Sequence, residues 1–368
     1  MPDTPLISLD HEELVIRRGR RSGLYTIVAV HSTALGPALG GCRMWRYESS
    51  ADGARDALRL SRAMTYKAAA CGLDLGGGKG VICLPPGRAP IGSARRDALL
   101  DFGDTVNVLE GSYITAEDVG TGAEDMSVIA EATPHVTGLD RGRGGSGDPS
   151  PFTALGVAGA MRACCERVFG DPDLEGRTVA IVGAGRVGSQ LAKRLSRAGA
   201  KLLVADIDES RRMRVADLPE TSWTDPSSAM LAEVDIVAPC ALGGVIDQVN
   251  VGRLRCRIVC GSANNILAHE GLADDLAAEG ILYAPDFIAN AGGLINVALE
   301  LDGYEAAKAE ERAAGIEETM RALLEEAAAA GITPLAAAYR LARRRLKEAS
   351  GPASPLPAGR GSGGGASD

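Results

Sequence analysis

Aromatic side chains are scarce in this 368-residue chain, at 4% of the sequence, which disfavours an aromatic-lined binding surface. The interior is left to aliphatic residues and to abundant Gly and Ala, the composition of close-packed α/β layers. No apolar run reaches the roughly 20 residues that span a bilayer. The start, MPDTPLISLD, lacks both the basic and the apolar stretch of a secretion signal. A protein of the cytoplasm, with no membrane partner, is expected. Blocks of basic residues are also missing: the formal net charge is −9 and the arginines are scattered among acids, so nucleic acid is not an expected partner. The eight cysteines, at 42, 71, 83, 164, 165, 240, 256 and 260, include no CxxC pair and sit mostly among apolar or small residues, which predicts reduced core thiols. Cys256 and Cys260 fall on the strand-like RIVCG, and no metal site is expected there or elsewhere. No internal repeat is evident.

What is present is long enough for two cores with a cleft between them. Residues 24–31, LYTIVAVH, suit a strand, and 51–70 carry Ala54, Ala57, Leu58 and Met64 at helical spacing, ending near Gly72. Gly76–Gly80 is expected as a glycine-rich loop running into a short buried strand, VICL, with a second helix over about 93–109. The segment RGRGGSGDPSP, 141–151, has the composition of an exposed hinge. The expected division is a substrate domain over 1–145, a dinucleotide-binding domain over 146–330, C-terminal helices over about 330–349 that pack back on the first domain, and a disordered tail, 350–368. In the second domain TVAIV, KLLVAD, DIVAPCA, RIVCGSANN and GILYAPD supply at least five strands of a doubly wound parallel sheet, and the fold class is α/β.

The turn Gly183-Ala184-Gly185-Arg186-Val187-Gly188 matches GxGxxG between a strand and a helix. The first glycine permits the turn, the second lets a pyrophosphate approach the backbone, and the third lets helix and strand pack closely, with free N–H groups at the helix start. Asp206 ends the next strand, where a carboxylate meets the adenosine ribose hydroxyls, and an acid there favours NAD over NADP. Arg211 and Arg212, five and six residues further on, soften that preference in principle.

Lys67 in AMTYKAAACGL and Lys79 in LDLGGGKGVICL both sit among small apolar residues. Lysine is seldom buried unless paired, so each either snorkels to solvent or lines a cleft with its ammonium. Gly76, Gly77 and Gly78 favour the cleft for Lys79, since they let a ligand lie close to the backbone. Asp118 in SYITAEDVGT either faces a ligand crevice from a strand end or caps a helix starting near Gly122.

The ordered segments STALGPALGGCR, AMTYKAAACGLDLGGGKG, TAEDVGT, GGSGDPSPFTALGV, VGAGRVG, APCALGG, GSANN and YAPDFIANAGGLINV resemble the glutamate/leucine/phenylalanine/valine dehydrogenases, over about residues 24–348. The resemblance implies that Lys67 binds the substrate carboxylate, Lys79 activates the attacking water and Asp118 relays a proton to and from the amino group. It implies that Gly40 and Gly41 line the same site, that Thr153 and Asn264 help hold the cofactor's nicotinamide end, and that Cys240 and Ala241 belong to the cofactor site. A homo-oligomer is implied too. Physical chemistry agrees: an α-carboxylate needs a fixed cation, and a second ammonium nearby favours the neutral amine of Lys79 by like-charge repulsion and desolvation. Cys42, where many relatives carry threonine, and Arg186 depart from the pattern without removing a reacting group.

Further side-chain contacts implied by the resemblance are Leu39, Ala116, Leu294 and Val297, all aliphatic. Leu39 stands where glutamate-specific members place a cation, so glutamate is disfavoured. The last two are three apart on an expected helix and share a face. The expectation is NAD-dependent oxidative deamination of a small branched L-amino acid, valine or leucine, with closest likeness to the valine and leucine members. Phenylalanine is the alternative substrate, and a non-catalytic NAD-binding regulator is the alternative of another class.

Overall fold

The computed structural model describes residues 10–87 and 89–350; of the tail expected to be disordered, all but Ser350 lies outside the described residues. Two sheets organise the chain. The first has strands β1 (Glu13–Arg18), β2 (Tyr25–Ser32), β3 (Ala38–Arg46), β4 (Gly76–Leu84) and β5 (Tyr113–Glu117), in the order β1-β2-β4-β3-β5. β1 and β2 pair antiparallel, as do β2 and β4, while β3 runs parallel to both β4 and β5. The carboxyl ends of β3, β4 and β5 therefore open on one edge, where ligands of parallel sheets bind.

Helix α1 (Ser50–Ala70) starts at a capping box, in which Ser49 and Asp52 each satisfy the other's free amide. Its buried face is built from Gly53, Ala54, Ala57, Leu58, Ser61, Thr65, Ala68 and Ala69, mostly small, so it lies close against the sheet. That closeness explains a difference from the sequence expectation. Gly76–Gly80 is not a loop but the first part of the central strand β4, all nine residues of which are buried. A Cβ on Gly77 would overlap the Thr65 backbone of α1, and one on Gly78 or Gly80 would strike the ring of Tyr113 or Phe102. These glycines admit the protein's own neighbours, not a ligand, to the backbone beside Lys79. Helices α2 (Gly92–Asn107) and α3 (Ala123–Ile129) complete the first layer.

Helix α4 (Ser150–Phe169), with Pro151 in its first turn, leads into the second sheet: β6 (Thr178–Val182), β7 (Lys201–Ala205), β8 (Thr221–Thr224), β9 (Ile236–Pro239), β10 (Ile258–Val259) and β11 (Leu282–Tyr283). The order is β11-β10-β9-β6-β7-β8 and every pair is parallel, so the strand order reverses between β6 and β9. This is the doubly wound dinucleotide fold, with its crevice at that switch point. The edge strand β8, TSWT, was not foreseen, because its polar residues carry no apolar run.

The connection expected to be exposed is partly inside. Gly145 and Ser146 are buried, and the Glu300 carboxylate accepts the amides of Ser146 at 2.7 Å and Gly138 at 2.9 Å. The last described helix, Pro334–Ser350, lies along α1. Its Arg345 donates to the carbonyls of Ala69 (3.0 Å) and Leu73 (3.3 Å) and pairs with Asp74 at 2.9 Å, satisfying carbonyls at the end of α1. No described helix is long and apolar enough to cross a membrane.

Candidate active site

A cleft of about 730 Å³ opens between the two sheets. Of the residues singled out from sequence, Leu39, Gly40, Gly41, Lys67, Lys79, Ala116, Asp118, Leu294, Val297, Ala241 and Asn264 line it.

Lys79, within β4, is 5% exposed, and its ammonium pairs with Asp118 Oδ2 at 2.8 Å. A buried ammonium without a partner costs several kcal/mol, so this pairing is what makes the position tolerable, and a snorkelling side chain is ruled out. Asp118 directly follows β5. A Cβ on Gly41 of β3 would lie 2.7 Å from its Cβ, so only glycine lets the aspartate come this near. It is no helix cap, because the Gly122 amide is taken by Asp125 at 2.9 Å. The same oxygen, Oδ2, also accepts from Arg43 Nε at 2.9 Å. Arg43 is held from behind by Asp56 at 3.0 Å, which in turn accepts from Tyr47 (2.8 Å) and Arg59 (2.8 Å). Asp118 Oδ1 takes no hydrogen bond or ion pair among the described residues. Burial pushes the Asp118 carboxyl up, but the charges and hydrogen bonds of Lys79 and Arg43 outweigh it and hold the group below the usual carboxylate range.

Lys67 stands in the last turn of α1, where the helix dipole favours a cation. Its Nζ donates to Asn290 Oδ1 at 2.6 Å. The Asn290 amide group donates in turn to Asn264 Oδ1 (2.9 Å) and to the carbonyls of Ser262 (3.2 Å) and Ala263 (3.3 Å). One buried asparagine thus joins the carboxylate-binding candidate of the first sheet to the nicotinamide-side candidate of the second. Burial, with a smaller push from Lys79, lowers the Lys67 ammonium from its ordinary value. The group in direct contact with Lys79 Nζ is the Asp118 carboxylate, at 2.8 Å. Tyr113 Oη donates to the Gly40 carbonyl at 2.6 Å, orienting that backbone in the cleft.

The aliphatic set converges from both halves. Leu39 lies in β3, Ala116 in β5, and Leu294 and Val297 in the helix Gly292–Ala298.

The glycine turn, Asp206, Thr153 and Cys240 lie outside this cleft's lining. Gly183 has φ 118°, which suits glycine, and a Cβ there would sit 2.8 Å from Ala241. A Cβ on Gly188 would overlap the Gly183 carbonyl, whereas one on Gly185 would meet only Arg211 at 3.8 Å. The amides of Gly185, Arg186 and Val187 make no backbone hydrogen bond among the described residues. An open glycine before free helix-start amides fits a dinucleotide pyrophosphate. Cys240 follows β9 and its Cβ lies 3.4 Å from where a Gly188 Cβ would be, so it packs under the turn. The Thr153 hydroxyl donates to the Pro149 carbonyl at 3.2 Å.

Sequence reasoning passed over Arg43 and Asn290. Both stood in quoted segments, GGCR and IANAGG, and polar residues beside paired glycines were the available signal.

A doubly wound dinucleotide half, set across a cleft from a half that offers two lysines and an aspartate, defines an oxidoreductase of two α/β domains. Residues 11–135 match the Glu/Leu/Phe/Val dehydrogenase dimerisation domain, and 203–351 match the Glutamate/Leucine/Phenylalanine/Valine dehydrogenase domain. Residues 161–242 match the NAD binding domain of D-isomer specific 2-hydroxyacid dehydrogenases. The chain is 45% identical to leucine dehydrogenase of Thermoactinomyces intermedius, over 92% of this chain and 91% of that one. It is 44% identical to valine dehydrogenase of Streptomyces virginiae, over 92% and 94%. The solved L-tryptophan dehydrogenase from Nostoc punctiforme superposes with a TM-score of 0.80 at 36% identity, covering 93% of this chain and 97% of that one. The chain belongs to the glutamate/leucine/phenylalanine/valine dehydrogenase family.

Proposed function

We infer that this chain is an NAD-dependent dehydrogenase that oxidatively and reversibly deaminates a branched aliphatic L-amino acid, valine or leucine, to its 2-oxo acid and ammonia. The observation that carries the reading is the meeting of Lys67, Lys79 and Asp118 in one cleft whose lining also includes the aliphatic side chains of Leu39, Ala116, Leu294 and Val297. Lys67 Nζ is suited to hold the substrate α-carboxylate, taking it as a partner beside Asn290. The glycine turn would hold NAD and Asn264 is suited to its nicotinamide end; the cofactor would supply the acceptor for the hydride of the substrate Cα. Asp118 Oδ1 takes a proton from the substrate ammonium, so that the amine is free before that transfer. Lys79 Nζ, once its ammonium proton has passed to solvent, takes a proton from the water that attacks the resulting imine carbon. Asp118 then returns its proton to the amino nitrogen, the C–N bond breaks as the hydroxyl proton of the carbinolamine passes to solvent, and ammonia leaves with the 2-oxo acid.

One methylene shifts selectivity by only about 1 to 3 kcal/mol in an apolar pocket, so valine, leucine and isoleucine overlap as substrates. The match of residues 11–135 to a dimerisation domain supports a homo-oligomer. Eight free cysteines, most of them buried, support the cytoplasm as the compartment. The first sheet ends with β5 at Glu117 and the helix leading into the second sheet begins at Ser150, which supports a boundary between the substrate and cofactor halves near residue 145.

The reading is tested by kcat/KM for NAD reduction with valine, leucine, isoleucine, phenylalanine and glutamate, on the wild type and on Lys79→Ala. Valine or leucine should lead. Lys79→Ala should still bind NAD but lose about 10² to 10⁴ in turnover, the usual worth of a positioned base. A preference for phenylalanine would overturn the substrate assignment, and near-normal turnover in the variant would overturn the role of Lys79.

A further inference from the structure

The adenosine end of the cofactor site departs from the simple picture of an acid facing a ribose. Asp206, after β7, has a side chain only 3% exposed. Its Oδ2 accepts from the Ala184 amide at 2.7 Å and from Arg211 Nη1 at 3.0 Å, and its Oδ1 accepts from the Asp208 amide at 2.9 Å. Three of the roughly four acceptor directions of the carboxylate are thus spent on the protein itself. The group turned outward at this place is Arg211, whose side chain is 37% exposed. Its Nη1 stands 3.8 Å from where a Cβ on Gly185 would be, directly over the open glycine of the turn. A second guanidinium reaches the same turn: Arg214 Nη1 donates to the Ala184 carbonyl at 3.3 Å. Arg211 Nε also pairs at 3.2 Å with Asp208, an exposed acid that a competing anion would displace.

A lone Asp206 would repel a phosphate on the ribose 2′-oxygen. With its charge countered at 3.0 Å by a guanidinium that keeps donors free at its exposed edge, the balance reverses: planar Arg donors match phosphate oxygens well. We propose that Arg211, backed by Arg214, forms a 2′-phosphate subsite, so that this dehydrogenase binds and turns over NADP as well as NAD. The ribose hydroxyls of NAD meet the same guanidinium edge without needing its charge, which is why NAD remains a substrate. The proposal rests on the glycine turn being the dinucleotide site.

The test is calorimetric titration of the cofactor-free protein with ADP and with 2′,5′-ADP, alongside kcat/KM for NAD and NADP. In the wild type, 2′,5′-ADP should bind at least as tightly as ADP, and NADP should support amino acid oxidation. Arg211→Ala should weaken 2′,5′-ADP at least about tenfold more than it weakens ADP, and lower kcat/KM for NADP correspondingly more than for NAD, since a charge-assisted bond to phosphate is lost. Arg211→Lys should fall between, because it keeps the charge and loses the fork. Wild-type binding of 2′,5′-ADP more than about tenfold weaker than ADP would overturn the subsite, as would an equal loss for both ligands in Arg211→Ala. Failure of ADP itself to bind would instead overturn the assignment of the glycine turn.

Discussion

Asp118 is held by one oxygen. Lys79 at 2.8 Å and Arg43 at 2.9 Å both converge on Oδ2, which locks the carboxylate's rotation and leaves Oδ1 without a partner among the described residues. Arg43 touches no reacting atom in this scheme; it positions Asp118 and keeps it ionised. Because Asp118 is held low in the folded protein, its contribution to stability is present above the unfolded carboxylate value and is lost as pH falls through its folded value. Arg43→Gln removes one of the two cations, so the acid limb of the kcat/KM profile should move to higher pH and kcat should fall at least about tenfold from misplacement. Arg43→Lys should restore the position of the acid limb better than kcat, since it returns the charge without the guanidinium fork. A pH profile for Arg43→Gln that superimposes on the wild type would refute this role.

At the scale of elements, the contact between α1 and β4 sets the depth at which Lys67 and Lys79 meet the cleft. Gly77 is the tightest point, because a methyl there would overlap the Thr65 backbone two residues before Lys67. Replacing glycine by alanine in an extended strand gains about 0.4 to 1 kcal/mol from a less flexible unfolded chain. Overpacking against backbone costs about 1 to 3 kcal/mol, so the steric effect wins. Gly77→Ala should lower the denaturant midpoint by a corresponding amount and, by pushing α1 outward, raise KM for the amino acid more than it lowers kcat. An unchanged midpoint would mean that α1 yields freely at this place.

For the whole molecule, the chain passes from the first sheet toward the second through the connection over 138–146, which one carboxylate grips. Glu300 follows immediately after the helix that carries Leu294 and Val297, and its carboxylate takes two backbone amides, Gly138 and Ser146. The substrate wall and the hinge are therefore tied through one side chain. Glu300→Gln keeps one acceptor but turns an amide donor toward an N–H, so one charge-assisted bond worth about 1.5 to 3 kcal/mol is lost. Hydrogen exchange at the amides of 138–146 should accelerate about tenfold or more, with little change in the central strands β4 and β6. Exchange spread evenly over the molecule would point to general destabilisation in place of a local hinge effect.

Much of this protein was legible without coordinates. The doubly wound half declared itself through TVAIV, the glycine turn and KLLVAD, and the cleft-lining Lys79 and Asp118 through GGGKG and TAEDVGT, because strand, turn and helix signals are local and charged residues among small apolar ones are conspicuous. The strand nature of Gly76–Gly80 was not legible, since glycine is disfavoured in strands until the bulk of α1, Tyr113 and Phe102 pressing on both faces requires it. Nor were the partners legible: Arg43 lies 75 residues from Asp118 and Lys67 lies 223 from Asn290. Spacing along the chain determined which groups were available for the chemistry. Only the folding of distant segments onto one another decided which oxygen each cation takes, and that Asp206 is buried while Arg211 stays partly exposed, because charge pairing and burial act through space.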